Sequence, residues 1–117
     1  MVESRYEPGR SAPGEGHYFF SYRVRIANQG GATAQLLSRL WIISDDYGRE
    51  RRVEGPGVVG ETPVLAPGEA FEYQSFCPLP TPFGEMRGHY LMKLVDTGER
   101  FEAHIDPFPL AAPGTVN

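Results

Sequence analysis

The chain has only one cysteine, Cys77, among its 117 residues. A single cysteine cannot form an internal disulfide, and it leaves no second thiolate for a cysteine-based zinc site. We therefore expect a protein of a reducing compartment that needs no cross-links. A chain of this length can bury roughly two thirds of the surface exposed on unfolding, so we expect a single domain over residues 1–117.

Excess positive charge and long apolar runs are also missing. Eleven Lys and Arg residues stand against fifteen Asp and Glu residues, which gives a formal net charge of −4. Nucleic-acid binders usually carry a positive surface that offsets the phosphates, so a nucleic-acid partner is not expected. No segment approaches the roughly 18 apolar residues of a membrane span, and residues 1–16 lack the apolar stretch of a signal peptide. These features predict a soluble, cytoplasmic protein without a membrane partner.

The chain also lacks a convincing helical pattern. Fourteen glycines and eleven prolines are scattered along the chain and divide it into short segments. Residues 18–27 alternate between apolar and polar side chains with a period of two, which is typical of a half-buried strand. Residues 34–44 fit a helical stripe about as well as a strand. We interpret them as a strand because the segment is short, ends in Trp41-Ile42-Ile43 and runs into a turn.

Further strand patterns occur at residues 49–54, 71–76, 86–95 and 100–105. Together the segments predict an all-β fold of about seven strands, arranged as an immunoglobulin or fibronectin type III-like β-sandwich of two antiparallel sheets. A small barrel is the alternative. Trp41 suits the core between the two sheets.

Three regions are predicted to lie outside the regular strands. Residues 1–16 form a largely irregular N-terminal arm, with room for one edge strand. Prolines at every second position from Pro78 to Pro82 predict an extended, exposed connection. Residues 106–117 form a C-terminal tail that either packs Phe108 and Leu110 or hangs free.

The segment Gly55-Pro56-Gly57-Val58-Val59-Gly60 matches the GxGxxG pattern of nucleotide-binding proteins. That pattern holds a pyrophosphate when it leaves a strand and opens a helix. The residues that follow, with Pro63 and Pro67, oppose a helix, so we interpret the glycines as a bend between strands. In the alternative hypothesis the loop binds a pyrophosphate with the help of nearby arginines. The residues of that hypothetical site are Gly55, Gly57, Gly60, Arg51 and Arg52, with Arg49 adjacent.

Catalytic and metal-binding patterns are not recognisable. No serine lies in a nucleophile elbow, and Cys77 has no activating base nearby in sequence and is expected to be a small, half-buried side chain. His17, His89 and His104 are far apart in the sequence, without ligands at a known spacing. Asp45-Asp46 fits a turn. The residues thus predict no catalytic site, no metal site and no cofactor.

Several segments together resemble the ApaG domain family, and the resemblance covers almost the whole chain, from about residue 2 to residue 117. The segments are Tyr22–Asn28, Gln35–Asp45, Val53–Gly60, Leu65–Tyr73, Thr81–Tyr90 and Pro107–Leu110.

The resemblance implies a fibronectin type III-like sandwich with no established enzymatic activity. Bacterial members are associated with cobalt and magnesium efflux and share a gene neighbourhood with a diadenosine tetraphosphate hydrolase, while eukaryotic relatives use the domain for protein interaction. We therefore expect a non-catalytic binding module for an unidentified protein partner, which uses an exposed sheet face or edge and the Pro78–Pro82 segment. The first alternative is nucleotide or dinucleoside polyphosphate binding through the Gly55–Gly60 loop. A metal-dependent hydrolase is the second.

Overall fold

The computed structural model describes residues 1–114 and consists almost entirely of strands. The two helices in this part of the chain are single 3-10 turns, Pro8–Arg10 and Pro13–Glu15, and no helix there is long and apolar enough to cross a membrane. The strands are β1 (Val2–Tyr6), β2 (Tyr18–Ala27), β3 (Ala34–Asp45), β4 (Glu50–Pro56), β5 (Val64–Leu65), β6 (Ala70–Leu79), β7 (Phe83–Leu94) and β8 (Arg100–Ala111).

The strands form two antiparallel sheets. The smaller sheet has the order β1-β2-β6. The larger sheet has the order β4-β3-β7-β8, and the short strand β5 pairs with β3 next to β4. The predicted antiparallel β-sandwich is confirmed, with eight strands where the sequence suggested about seven.

The core lies between the sheets, where the period-two alternation places the large apolar side chains. Phe20 from β2 is fully buried, and Trp41 from β3 is 2% exposed. The indole packs edge-to-face against Tyr22, at 5.5 Å between ring centroids. Gly88 stands opposite Trp41 in the β3–β7 ladder, and a Cβ there would overlap the Leu40 carbonyl oxygen. The close approach of the two backbones therefore requires a glycine.

Both termini contribute more to the sandwich than the sequence indicated. The first segment, β1, is an edge strand on β2. Residues 106–111 continue β8, where Phe108 packs against the core and Leu110 is fully buried. Prolines fit this strand because β8 lies at a sheet edge, where ladder donors are needed on one side only. Residues 115–117 of the predicted tail lie outside the described residues.

The proline segment matches its prediction in part, because Pro78 and Pro80 are exposed, but the residues that follow each of them are not. Strand β6 continues through Pro78 to Leu79, and Leu79 and Thr81 are 3% and 2% exposed. The Thr81 hydroxyl donates to the Phe83 carbonyl and accepts from the Asp46 amide, at 2.7 and 3.1 Å. The segment thus carries the chain tightly from one sheet to the other, because an edge strand tolerates proline at the position of its unpaired donor.

Candidate functional site

The glycine loop interrupts an edge of the larger sheet. Strands β4 and β5 pair with the same side of β3, so residues 57–63 leave this edge and return to it. The loop contains no helix. It inserts Val58, which is fully buried, into the core.

Three amide groups of this loop, those of Gly57, Val58 and Glu61, already have partners. The Gly57 amide donates to the Leu37 carbonyl at 2.8 Å, at the point where a bulge in β3 shifts the register between Leu36 and Ser38. The amides of Val58 and Glu61 donate to each other's carbonyls, at 2.8 and 2.9 Å. Donors engaged in this way cannot hold a phosphate unless the loop opens.

The three glycines of the motif meet different structural demands. Gly57 has a φ of +61°, and a Cβ there would overlap the Glu61 carbonyl oxygen. At Gly55 a Cβ would lie 3.1 Å from the guanidinium of Arg39. Gly60 has a φ of +82° but faces open space. A sharp turn and a close side-chain approach therefore account for the glycines without a ligand.

The arginines of the pyrophosphate hypothesis point in different directions, because neighbouring residues of a strand face opposite sides of the sheet. The Arg51 guanidinium donates to the Pro78 carbonyl at 2.7 Å, toward the smaller sheet. Arg52 pairs with Glu54 at 3.7 Å, and Arg49 pairs with Asp45 at 3.4 Å. The structure does not gather these three side chains at the glycine loop.

Arg39 is the charged residue at this loop that the sequence analysis missed. Its Nη1 donates to the carbonyls of Pro56 and Gly57, at 3.1 and 3.0 Å. Arg39 lies two residues before Trp41, beyond the bulge at the start of β3, so strand alternation turns both side chains toward the core. The signal in the sequence was the position of this arginine two residues before Trp41, on the core-facing side of a predicted strand.

A cavity of about 140 Å³ lies between the sheets on the side of β4 and β6. The Nε1 of Trp41, one of its lining residues, is buried and has no hydrogen-bond partner in the described part of the chain. No carboxylate belongs to the lining that the structure describes. Hydrogen-bond donors therefore predominate among its polar groups, which suits an anionic or acceptor-rich ligand. The donor-bearing lining residues are Tyr22, Arg39, Trp41, Arg51 and Ser75.

The buried ionisable groups nearby are held in their neutral forms. Burial raises the pKa of the Cys77 thiol, and the guanidinium of Arg51 opposes this rise only in part. The thiol is 1% exposed, more buried than expected, and it lacks the thiolate character of a nucleophile. Burial also raises the pKa of Tyr73 and of Tyr90, whose hydroxyls hydrogen-bond to each other. This pair bridges the sheets as a neutral polar contact.

The sandwich is closed on one side and open on the other. On the closed side β1 meets β8, where the Ser4 hydroxyl donates to the Pro109 carbonyl at 2.8 Å. We call the other side, formed by the outer edges of β4 and β6, the open side. Neither edge pairs with a further strand within residues 1–114. Beside it Phe76 is 47% exposed and stacks on Phe19 at 5.5 Å, with the Arg10 guanidinium 4.1 Å from the Phe19 ring.

Two of the three histidines, which the sequence separates by 15 positions, are neighbours in the fold. His89 and His104 lie opposite each other in the β7–β8 ladder, with ring centroids 5.5 Å apart. The Glu102 carboxylate contacts both imidazoles. His17 is elsewhere, in a bridge with Ala12. The antiparallel pairing brings together side chains whose sequence spacing gave no ligand signal.

Known proteins match this chain over most of its length. The model of the ApaG domain matches residues 8–94. Protein ApaG of Anaeromyxobacter sp. (strain K) is 57% identical over 116 residues, which cover 99% of this chain and 90% of that protein. Protein ApaG of Paramagnetospirillum magneticum is 51% identical over 112 residues, which cover 96% and 85%. A crystal structure of an ApaA protein from Bordetella pertussis has a TM-score of 0.94 at 51% identity and covers 98% of this chain and 93% of its own.

Proposed function

The chain belongs to the ApaG domain family, and on this premise we propose that it is a non-catalytic module that binds another protein at its open side. The observation that carries the proposal is the pair of unpaired strand edges beside an exposed aromatic cluster. Unpaired edges offer backbone donors and acceptors to a further strand, and aromatic residues are enriched at the centres of protein interfaces.

Strand β6 is the better docking edge of the two. It has ten residues, against seven in β4, and it pairs only with β2 among the described strands. An extended partner segment added to β6 would place an apolar side chain against Phe76. The Arg10 guanidinium, 4.8 Å from the Phe76 ring, shields this aromatic surface in the free protein.

The remaining features fit a binding role without chemistry of its own. The buried thiol and the neutral tyrosine pair offer neither a nucleophile nor a general base. We propose a cytoplasmic protein whose connection to cobalt and magnesium efflux, or to diadenosine tetraphosphate metabolism, passes through its partner. In this proposal the protein needs no cofactor.

Substitution at Phe76 tests the proposed surface. Phe76→Glu places a charge in the aromatic cluster and should abolish recovery of the partner from native cell extract, compared with the unaltered protein. Phe101→Glu is the matched control, because Phe101 is 41% exposed and lies on β8, at the opposite edge of the larger sheet. Equal loss of the partner in both variants, or in neither, would contradict binding at the open side.

Anion binding in the cavity of the open side is a second candidate function. It is favoured by the two guanidiniums, Arg39 and Arg51, and by the unpartnered indole nitrogen of Trp41. In this candidate function a pyrophosphate group binds in the cavity and not on the outer surface of the glycine loop.

Calorimetry with pyrophosphate, ATP and diadenosine tetraphosphate tests this second candidate. We expect binding heat with the unaltered protein and none with Arg51→Met. Arg52→Met is the control, because this neighbouring side chain faces outward and pairs with Glu54. Absence of heat at millimolar ligand would remove the candidate, and retention of heat in Arg51→Met would move the site away from the cavity.

A further inference from the structure

We propose that His89, Glu102 and His104 form a binding site for a divalent transition-metal ion with the ligand preference of zinc. The site lies on the outer face of the larger sheet, on the β7–β8 hairpin. It is separate from the open side, because β8 is at the sheet edge opposite β4. The proposal does not depend on the proposed protein partner.

The positions on the hairpin give the three side chains a common face. Glu102 and His104 are two residues apart on β8, so both point to the same side of the sheet. His89 is paired directly with His104 across the ladder. Directly opposed residues of an antiparallel pair have Cβ atoms roughly 4.5–5.5 Å apart, a separation that two imidazoles can bridge through one ion.

Each imidazole lies at about the tetrahedral ligand–ligand distance from one oxygen of the Glu102 carboxylate. The His104 Nε2 is 3.2 Å from Glu102 Oε1, and the His89 Nε2 is 3.4 Å from Glu102 Oε2. Bonds of about 2.0–2.1 Å to zinc place tetrahedral ligands about 3.3 Å apart. One donor atom from each of the three residues lies within 4.8 Å of the others. A single ion would draw the exposed His104 imidazole toward the other two ligands.

One of the three ligand side chains is mostly buried, and the other two are exposed, so an ion can reach the site from solvent. The side chain of His89 is 25% exposed, and its neighbours in the ladder are Leu40 on β3 and His104 on β8. The side chains of Glu102 and His104 are 50% and 71% exposed. The three residues leave a fourth tetrahedral position open to water or to an outside ligand, as in zinc sites with three protein ligands.

The donor set selects the class of ion. Two imidazole nitrogens and one carboxylate suit zinc, cobalt, nickel and copper. Magnesium prefers six oxygen ligands in an octahedron, which this set does not supply. We therefore expect Zn²⁺ to bind and Mg²⁺ to leave the site empty.

Titration of the untagged protein with Zn²⁺ in a calorimeter tests the site directly. We expect one bound ion per chain, and Co²⁺ in its place should give the visible absorption of a tetrahedral complex. His89→Ala and His104→Ala should each weaken binding at least about 10-fold, since loss of even an outer-shell partner of a metal ligand costs about 10- to 100-fold.

Two controls separate this site from other ligands. His17→Ala removes the third histidine of the chain, and Cys77→Ala removes its thiol. Both variants should bind Zn²⁺ as the unaltered protein does. Zn²⁺ should raise the melting temperature of the unaltered protein and leave that of His104→Ala unchanged, while the two metal-free proteins melt alike.

Three results would overturn the proposal. The first is the absence of Zn²⁺ binding at micromolar concentration, which would make the three residues a hydrogen-bonded surface cluster only. The second is unchanged binding in His104→Ala and His89→Ala. The third is equal affinity for Mg²⁺, which would exclude a site of zinc-like preference.

Discussion

The glycine loop and the outer face of the β7–β8 hairpin differ in how their polar groups are used. In the loop, the amides of Gly57, Val58 and Glu61 donate to carbonyls of the protein itself. On the hairpin, the polar side chains of His89 and His104 converge at the surface and contact Glu102. The loop carries a motif associated with ligand binding, yet the polar groups that remain available to a ligand lie on the hairpin.

The difference follows from what each motif requires of its surroundings. The dinucleotide-binding type of glycine fingerprint holds a phosphate at the start of a helix, whose first amides have no partners within the helix. Here the chain returns to the sheet edge as β5, and the amides are used in that return. A metal site needs only side chains of suitable chemistry at suitable distances, which a strand pair provides without a local sequence pattern.

Gly57→Ala should have the largest effect and would show that the loop is a structural element. The substitution combines a positive φ with an overlap between Cβ and the Glu61 carbonyl oxygen. We expect a loss of about 3 kcal/mol in the free energy of unfolding, measured with urea. Gly60→Ala shares the positive φ but meets no atom, so it should lose only about 1 kcal/mol. Equal losses would show that steric closure of the loop is not what Gly57 provides.

The dependence of stability on alkaline pH tests the core-facing side of β7, where Tyr90 is buried next to the outward-facing His89. Burial raises the pKa of Tyr73 and Tyr90 in the folded protein, so the unfolded chain loses these protons first. Burial also raises the pKa of Cys77, whose ordinary value is lower, so the free energy of unfolding should begin to fall above about pH 9. Above about pH 10 the fall should steepen by about 3 kcal/mol per pH unit from Tyr73 and Tyr90 together, and further from Tyr22, whose pKa burial raises as well.

Urea unfolding at a series of alkaline pH values, with tyrosinate absorbance followed in parallel, measures this dependence. Tyr73→Phe removes one of the two groups and should reduce the slope. Ionisation of all six tyrosines of the chain before unfolding begins would contradict the inferred burial.

Arg39→Met tests whether the loop depends on the guanidinium behind it. The substitution keeps an unbranched side chain but leaves the carbonyls of Pro56 and Gly57 without this donor. We expect a loss of about 2 kcal/mol in the free energy of unfolding. Arg52→Met, which removes only a surface pair with Glu54, should change it by less than about 0.5 kcal/mol. A similar small change in both variants would show that Arg39 does not hold the loop.

Substitutions in the histidine cluster should have the smallest effect on folding. The side chains of Glu102 and His104 are at least half exposed, and surface pairs of this kind contribute little. In metal-free buffer Glu102→Gln and His104→Ala should change the free energy of unfolding by less than about 0.5 kcal/mol. A loss of several kcal/mol would place the cluster, like the loop, among the elements that maintain the sandwich.

The strands could be predicted because local alternation follows directly from burial on one face. Residues 18–27 were predicted as a strand within the bounds that β2 has, and Trp41 lies in the predicted core. The prediction for Pro78–Pro82 was wrong in ending the strand before Pro78, because proline was treated as a strand breaker, whereas β6 lies at a sheet edge and has one ladder partner fewer. The inward direction of Arg39 could have been inferred from its position two residues before Trp41, but its contacts with Pro56 and Gly57 could not, because these residues lie 17 and 18 positions later in the chain.

The sequence by itself determined the all-β class, the family and the positions of most strands, because period-two burial and turn residues act over short distances. The tertiary structure decided which polar groups remain available. It placed His89 against His104 through strand pairing and brought the glycine loop to the guanidinium of Arg39. It also engaged three of the loop amides within the sheet edge. These outcomes depend on register and on strand neighbours, which are set by contacts between residues far apart in the chain.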